Sequence, residues 1–258
     1  PVIDLLSELG FSSYSHLSRY SGATPVTDSI LGIKYILNKD SKLFDYNLKF
    51  SQDGVDVFEN PYAMSIGFMA DNKIRNTKLD NLNPFVNQNN LINSMIENST
   101  DPVFQKIFTD KIEYQNVDVL NAGDHVKYAQ IEPGLDTYVK FIIEAPTDDM
   151  IYLFFPSQYQ RATNLWINGD FVSVYYETDN YCIMPVGKFK KGEQIEVQTK
   201  KKKSELYMED QYFYYLDTER FKSLISKMKE NEWHITKHSD THIEGEITAK
   251  ENQIMFTS

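Results

Sequence analysis

Short strand-like segments recur about every eight to twelve residues between positions 116 and 203, and this spacing restricts the fold more than any other feature. In one segment Val139, Phe141 and Ile143 occupy alternate positions, as expected for a strand with one buried face. Asn168-Gly169 separates two others and is typical of a two-residue hairpin turn. The pattern predicts an antiparallel β-sandwich of the jelly-roll kind over residues 116–203.

The preceding part of the chain, residues 1–115, combines helical and strand-like patterns and predicts a mixed α/β region. Asp53-Gly54 separates two strand candidates and signals a hairpin. The apolar spacing in Asn89–Glu97 indicates a helix, and Phe104, Ile107 and Phe108 indicate another short helix.

Residues 204–258 predict a strand-helix-hairpin unit that packs on the rest of the chain. Asp217 is a favourable N-cap for a helix that ends near Asn231. Phe221, Leu224, Ile225 and Met228 would form the apolar stripe of that helix. The expected fold class is therefore α+β, mainly β.

Composition narrows the classes of function. The chain has 258 residues, 41% of them hydrophobic, and a net charge of −11, which argues against general nucleic-acid binding. No apolar run approaches the roughly 20 residues of a membrane helix, so we expect a soluble piece. Pro1 is not an initiator methionine, and Ser258 follows an apolar run, so both ends suggest a piece of a longer protein. No sequence motif calls for a cofactor.

Several segments rich in Gly, Pro, Tyr and Asn are more specific than the composition. They are the run Ser12–Ile36, the segment Phe58–Met69, Asn83-Pro84-Phe85 with Gln88-Asn89, Ile243–Ile247 and Gln253–Ser258. Together they resemble the YfhO family of bacterial membrane proteins, and they touch both ends of the chain.

The resemblance implies a parent similar to multi-pass GT-C-type glycosyltransferases that act on lipid-linked sugars, with a link to teichoic acid glycosylation in Gram-positive envelopes. The catalytic acid of such enzymes is expected in an early extracellular loop, which this chain lacks, so no catalytic residue is carried over. The expected partners are the membrane-embedded remainder of the polypeptide and a glycan or teichoic acid polymer. The expected location is the extracellular face of the cell membrane. The alternatives are a stand-alone carbohydrate-binding or adhesion module and a secreted glycosidase fragment.

An aromatic and polar group in the sandwich region is the first candidate for ligand binding. Sugar rings stack on flat aromatic faces, while Asn and Asp side chains bond to hydroxyl groups. The alternative is that the aromatic side chains simply fill the core. The candidates are Trp166, Asn168, Asp170, Tyr175, Tyr176 and Tyr181.

A basic cluster is the second candidate, because it stands out in an acidic chain. It could contact anionic lipid headgroups or polyphosphate, at about 1 kcal/mol per basic residue near an anionic surface. The alternative is a solvated loop that protects a sheet edge. The cluster comprises Lys188, Lys190, Lys191, Lys200, Lys201, Lys202 and Lys203.

Three further sets favour structural roles. His234, His238 and His242 have a spacing that zinc sites use, but Ser239-Asp240 predicts a turn that separates them, so a surface hairpin is expected. The single cysteine, Cys182, lies in an apolar segment and is expected to be buried. A glycosidase would need a carboxylate pair at a fixed separation, which sequence cannot establish. The candidates for such a pair are Glu59, Asp71, Asp148, Asp149 and Glu177.

Overall fold

The computed structural model describes residues 2–14, 16–38, 46–122, 125–157, 162–176, 181–201 and 207–257. Within them the α-helices are α1 (Val2–Glu8), α2 (Pro25–Ile30), α3 (Pro84–Ser94) and α4 (Thr218–Lys229), with a 3₁₀ helix at Asn72–Asn76. The first strands are β1 (Ser13–Tyr14), β2 (Leu17–Ser18), β3 (Tyr35–Asn38), β4 (Asn47–Gln52), β5 (Val55–Glu59), β6 (Gly67–Asp71), β7 (Phe104–Ile107), β8 (Thr109–Gln115), β9 (Val117–Ala122) and β10 (His125–Gln130). The remaining strands are β11 (Thr137–Glu144), β12 (Met150–Phe154), β13 (Thr163–Ile167), β14 (Asp170–Tyr175), β15 (Met184–Lys188), β16 (Gln194–Lys201), β17 (Tyr207–Met208), β18 (Tyr212–Leu216), β19 (His234–Ser239), β20 (His242–Glu246) and β21 (Gln253–Thr257).

The chain divides into two compact units, each assembled from separate stretches of sequence. The first, here called the sandwich unit, contains Pro1–Gly22, Asp80–Phe85 and Phe104–Leu216. The second unit contains Ala23–Leu79, Val86–Val103 and Asp217–Ser258.

The sandwich unit contains a five-stranded sheet in the order β14-β13-β16-β11-β8 and a four-stranded sheet in the order β15-β12-β18-β7. A three-stranded sheet, β17-β10-β9, and the ribbon β1-β2 complete it, and every pairing in these sheets is antiparallel. Side chains from both large sheets form one core, in which the rings of Phe141, Phe155 and Phe213 lie 5.6–5.7 Å apart. The predicted antiparallel, mainly β fold is confirmed.

Strand β11 shows why the sequence folds this way. Val139, Phe141 and Ile143 are fully buried, while the residues between them are partly exposed. A side-chain period of two places these three residues on the core face and their neighbours on the other face. The strand pairs with β16 on one side and β8 on the other, so its polar residues lie in the middle of the sheet's outer face.

The second unit contains the sheets β3-β5-β4, β21-β6 and β19-β20, together with α2, α4 and most of α3. Asp217 caps α4 by accepting a hydrogen bond from the Arg220 amide at 2.9 Å, as predicted. The expected turn at Asp53-Gly54 joins β4 to β5, with positive φ at both residues. The predicted stripe of α4 is also buried: Phe221, Leu224, Ile225 and Met228.

Some element predictions were wrong. Phe104–Ile107 is a strand, because pairing with β18 satisfies its backbone and buries Phe104 and Ile107, whose spacing fits a helix equally well. Helix α3 begins at Pro84 and ends at Ser94, which is earlier than the predicted range at both ends.

Candidate functional site

The structure separates the six aromatic and polar candidates. Trp166 points away from the core, because its neighbours Leu165 and Ile167 are buried on the other face of β13. Asn168 and Asp170 are exposed at the turn after β13. The other three, Tyr175, Tyr176 and Tyr181, lie elsewhere: Tyr175 and Tyr176 are core residues, and Tyr181 is partly buried.

A β-bulge creates the exposed aromatic corner at Trp166. The register of β13 against β14 shifts between Leu165 and Trp166, so that Trp166 lies opposite Phe171. The two rings are 5.5 Å apart at 70°, an edge-to-face contact, and Phe171 is 52% exposed. Without the extra residue, Phe171 and Tyr175 would share a face, since they are four positions apart in one strand.

The outer face of the five-stranded sheet continues from this corner as two cross-strand rows. One row runs from Phe171 through Trp166, Gln198 and Lys140 to Glu113. Beside it runs a second, from Val174 through Asn164, Lys200 and Tyr138 to Gln115. Strands in a sheet are about 4.8 Å apart, so each row spans roughly 19 Å across four strand spacings.

The charges on this outer face are paired. The Lys140 ammonium lies 3.0 Å from Glu196 and 3.7 Å from Glu113. The hydrogen bond with Glu196 is the main cause of a raised pKa for Lys140. Lys111, 2.7 Å from Glu113, is the main cause of the lowered pKa of that carboxyl. Because opposite charges face one another, the face presents little net field to a charged ligand.

Two amide side chains next to Trp166 are available for hydrogen bonding. Asn164 and Gln198 flank the indole, and neither side chain has a hydrogen-bond partner within the described part of the chain. The indole nitrogen of Trp166 is itself shielded from solvent and likewise lacks a described partner. Aromatic surface beside unpaired amides is an arrangement that suits a polyhydroxylated ring.

The core tyrosines have structural roles. Tyr175 is fully buried and donates a hydrogen bond to the Cys182 carbonyl at 2.9 Å, while its oxygen accepts from the Phe155 amide at 3.1 Å. Burial raises the pKa of the Tyr175 and Tyr176 phenols well above the usual value. As placed, Tyr175 offers no surface to a ligand, and Tyr176 is 4% exposed.

The predicted lysine cluster is distributed over different strands and loops. The Lys190 ammonium lies 2.7 Å from Asp148, and this hydrogen bond is the main cause of the lowered pKa of that carboxyl. The backbone amide of Lys191 also donates to Asp148, and Lys200 lies 3.7 Å from Asp136. Lys188 is in the four-stranded sheet, whereas Lys200 and Lys201 are in the five-stranded one. Lys202 and Lys203 lie outside the described residues, and binding of anionic surfaces stays a prediction.

The three histidines lie on the exposed hairpin β19–β20, as predicted. His242 contacts Glu244 at 2.6 Å, and His238 lies opposite Ile243. Among the described residues, no group of three metal-binding side chains is close enough to hold an ion. Cys182 is buried, also as predicted, and burial raises the pKa of its thiol to about 12.

Most of the candidate carboxylates have local partners. The hydrogen bond from Lys49 at 2.8 Å is the main cause of the lowered pKa of Glu59. Asp71 caps the 3₁₀ helix, and Asp149 accepts a hydrogen bond from Thr147. A general acid in a glycosidase needs a raised pKa, so the lowered pKa values of Glu59 and Asp148 do not suit that role. Glu177 lies outside the described residues.

The Ser12–Ile36 motif contains a buried polar centre that the sequence did not reveal. All six residues of α2 are buried, including Asp28, whose carboxylate accepts from the Tyr46 hydroxyl at 2.8 Å. Thr24 caps this helix and donates to the Gln88 side chain at 2.6 Å. Thr24, Asp28 and Gln88 belong to two of the family-like segments, so these parts of the motifs have a structural role within the second unit.

Comparison with models of sequence families shows to which family this chain belongs. The family model described as "Bacterial membrane protein YfhO" matches residues 1–258. The chain belongs to the YfhO family. None of the helices in the described ranges of this YfhO chain is both long and apolar enough to cross a membrane.

Comparisons with curated proteins and with solved structures say less about the chain. No curated protein matches the sequence. Among solved structures, the YfhO chain is similar to a family 35 carbohydrate binding module from Clostridium thermocellum, with a TM-score of 0.30 and 13% sequence identity. That match covers 45% of this chain and 99% of the module.

Proposed function

We propose that this region of a YfhO protein is a noncatalytic, carbohydrate-contacting module on the outer side of the cell membrane. Family membership makes the region part of a membrane protein. The observation that carries the carbohydrate proposal is the aromatic corner of Trp166 and Phe171 beside the unpaired amides of Asn164 and Gln198. Aromatic faces with nearby amides bind the two kinds of surface on a sugar ring, its C–H face and its hydroxyl groups.

The parent would be a glycosyltransferase of the Gram-positive envelope that adds sugars to teichoic acid. In this proposal the module holds the acceptor polymer for the membrane-embedded remainder of the polypeptide. The paired charges around Lys140 favour contact with sugar substituents over contact with the phosphate backbone. Binding that has no effect on sugar transfer would favour the alternative of an adhesion module.

Calorimetric titration of the chain with glycosylated and unglycosylated teichoic acid tests this proposal. We expect the glycosylated polymer to bind more tightly, and Trp166→Ala to weaken binding at least about tenfold, because Trp side chains at a binding surface often carry a large share of the binding energy. Phe108→Ala is the matched control, since Phe108 is 75% exposed in the same unit but lies in no row of the outer face. Equal binding by the Trp166 variant and the parent chain would contradict the proposal.

Salt dependence separates this proposal from polyanion binding by the lysines. Recognition of neutral sugars should change little when ionic strength rises from about 0.05 to about 0.5 M, whereas binding through lysine ammonium groups should weaken steeply. Loss of binding at high salt, together with loss on substitution of Lys188 and Lys191, would favour the anionic-surface hypothesis instead.

A further inference from the structure

A small cleft in the sandwich unit lies where Tyr181 approaches α1. Its volume is about 260 Å³, and its walls include Phe11, Phe154 and Tyr181. Glu8, Asn81 and Leu82 also line it. Of the predicted ligand residues, Tyr181 contributes to this cleft, and Trp166 is not among its lining residues.

The walls of the cleft are aromatic. Phe154 and Tyr181 have ring centroids 5.4 Å apart and planes inclined at 33°. Phe11 and Phe154 are only 6% and 7% exposed, so their rings are fixed by packing. Phe154 and Tyr181 are in contact and form one wall, so a ligand can pack against it without rearrangement of the protein, which favours binding.

The hydroxyl group of Tyr181 can act as a donor to a ligand. Its oxygen accepts a hydrogen bond from the Ser157 amide at 3.4 Å. Burial raises the pKa of Tyr181, so the phenol keeps its proton at neutral pH. An oxygen that already accepts from the backbone still has its hydrogen for an acceptor on the ligand.

Close backbone packing fixes the position of Phe11 next to the Tyr181 segment. The Ile183 amide donates to the Gly10 carbonyl at 2.9 Å, and the Gly10 Cα faces the Ile183 side chain. A side chain at Gly10 would collide with Ile183, and φ at this glycine is +94°. The contact sets Phe11 and Tyr181 on neighbouring walls of the cleft.

The segment that carries Asn81 and Leu82 is also anchored within the sandwich unit. The Asn83 side-chain amide donates to the Tyr214 hydroxyl at 2.9 Å, and Phe85 stacks on Tyr214 at 4.5 Å. The Asn81 side-chain oxygen accepts a hydrogen bond from the Asn83 backbone amide at 2.8 Å. The cleft is therefore assembled in advance from three anchored stretches of chain, as small-molecule sites usually are.

We infer that this cleft binds a single neutral or amino-bearing sugar ring. Its volume is just below the range of about 300–1,000 Å³ that is usual for drug-sized ligands, so it suits one ring rather than an oligosaccharide. The ring of Tyr181, which is partly exposed, covers one C–H face of the sugar, and the Tyr181 hydroxyl donates to one of its oxygen atoms. The carboxylate of Glu8 disfavours an anionic ring. The choice of a sugar rests on the proposed function.

Ligand-observed NMR with methyl glucoside, methyl galactoside and methyl N-acetylglucosaminide tests the cleft on the intact chain. We expect saturable binding of at least one glycoside. Leu82→Arg should abolish it by filling the mouth, because Leu82 is 70% exposed and its replacement leaves the core intact. Tyr181→Phe should weaken binding about fivefold, because it removes one hydrogen bond and keeps the ring. Phe108→Arg is the control, an exposed apolar residue of the same unit that does not line the cleft.

The outcomes distinguish glycoside binding at the cleft from polymer binding at the outer face of the five-stranded sheet. Glycoside binding at the cleft should be lost in Leu82→Arg and kept in Phe108→Arg, because Leu82 lines the cleft and Phe108 does not. Polymer binding through Trp166 without any glycoside binding would overturn the cleft inference alone. Glycoside binding that Leu82→Arg abolishes, with no polymer binding at all, would support the cleft and overturn the proposed function. Glycoside binding that survives Leu82→Arg would also overturn the cleft inference.

Discussion

The positions of single residues determine which side chains of this chain are accessible to a ligand and which are buried. Phe171 lies beside Trp166 on the outer face because one extra residue in β14 shifts the register of that strand, whereas Tyr175 on the same strand is fully buried. Sequence alternation could not locate that bulge, so it could not separate the aromatic residues of β14 by face. It did indicate that Cys182 is buried, because an apolar segment surrounds it.

The thiol of Cys182 should resist alkylation in the folded protein. Burial raises its pKa from the ordinary value of 9.0 to about 12, so the stability that the neutral thiol contributes is intact below pH 9.0 and is lost as pH rises from there towards about 12. At pH 8 only about one thiol in ten thousand is then ionised, and the reactive thiolate is scarce. Absorbance with Ellman's reagent should rise slowly in buffer and at once in guanidinium chloride. Rapid complete reaction without denaturant would contradict this burial.

Gly22 should tolerate substitution less well than Gly169. Both have positive φ, +95° and +85°, so alanine is strained at each. A methyl group at Gly22 would also collide with the Gly10 carbonyl and the Cys182 side chain, whereas open space surrounds Gly169. We expect Gly22→Ala to lower the free energy of unfolding by about 3 kcal/mol and Gly169→Ala by about 1 kcal/mol. Denaturant titration measures both, and equal effects would contradict the close packing at Gly22.

Helices and strands could be predicted from the sequence where one pattern, such as an apolar stripe or a strict alternation, was clear. Helix α4 has both an N-cap and an apolar stripe, and β11 has a strict alternation, so the sequence identified both. Strand β7 was missed because its apolar spacing fits a helix, and only pairing with the distant strand β18 decides its conformation. The burial of the polar helix α2 was not predicted, because Thr, Asp and Ser ordinarily indicate surface.

The N-cap of α4 should contribute measurably to stability. Asp217 accepts the Arg220 amide, which otherwise has no partner within the helix. Asp217→Ala should lower the free energy of unfolding by about 1 kcal/mol, whereas Glu219→Ala, at a side chain 90% exposed in the same turn, should change it by less than about 0.5 kcal/mol. Circular dichroism during urea titration reports both changes. A smaller effect at Asp217 than at Glu219 would rule out capping as the source of stability.

At the scale of the molecule, the chain contributes separate stretches to each of its two units. Hydrophobic periodicity is local, so it could identify the sandwich strands but not the contributions of Pro1–Gly22 and Asp80–Phe85 to the same unit. The cleft beside Tyr181 depends on those two stretches, so local periodicity could not reveal it. Family membership was predictable, because the motifs were recognisable without knowledge of their contacts.

The most direct test of the carbohydrate proposal is the fluorescence of Trp166 itself. The chain has two tryptophans, so Trp233→Phe leaves Trp166 as the single indole reporter. Addition of glycosylated teichoic acid should shift or quench its emission in a saturable way, and the unglycosylated polymer should have little effect, because the sugar covers the indole. Unchanged Trp166 emission when calorimetry shows the polymer to be bound would contradict contact at the outer face, and absence of binding would contradict the proposed function.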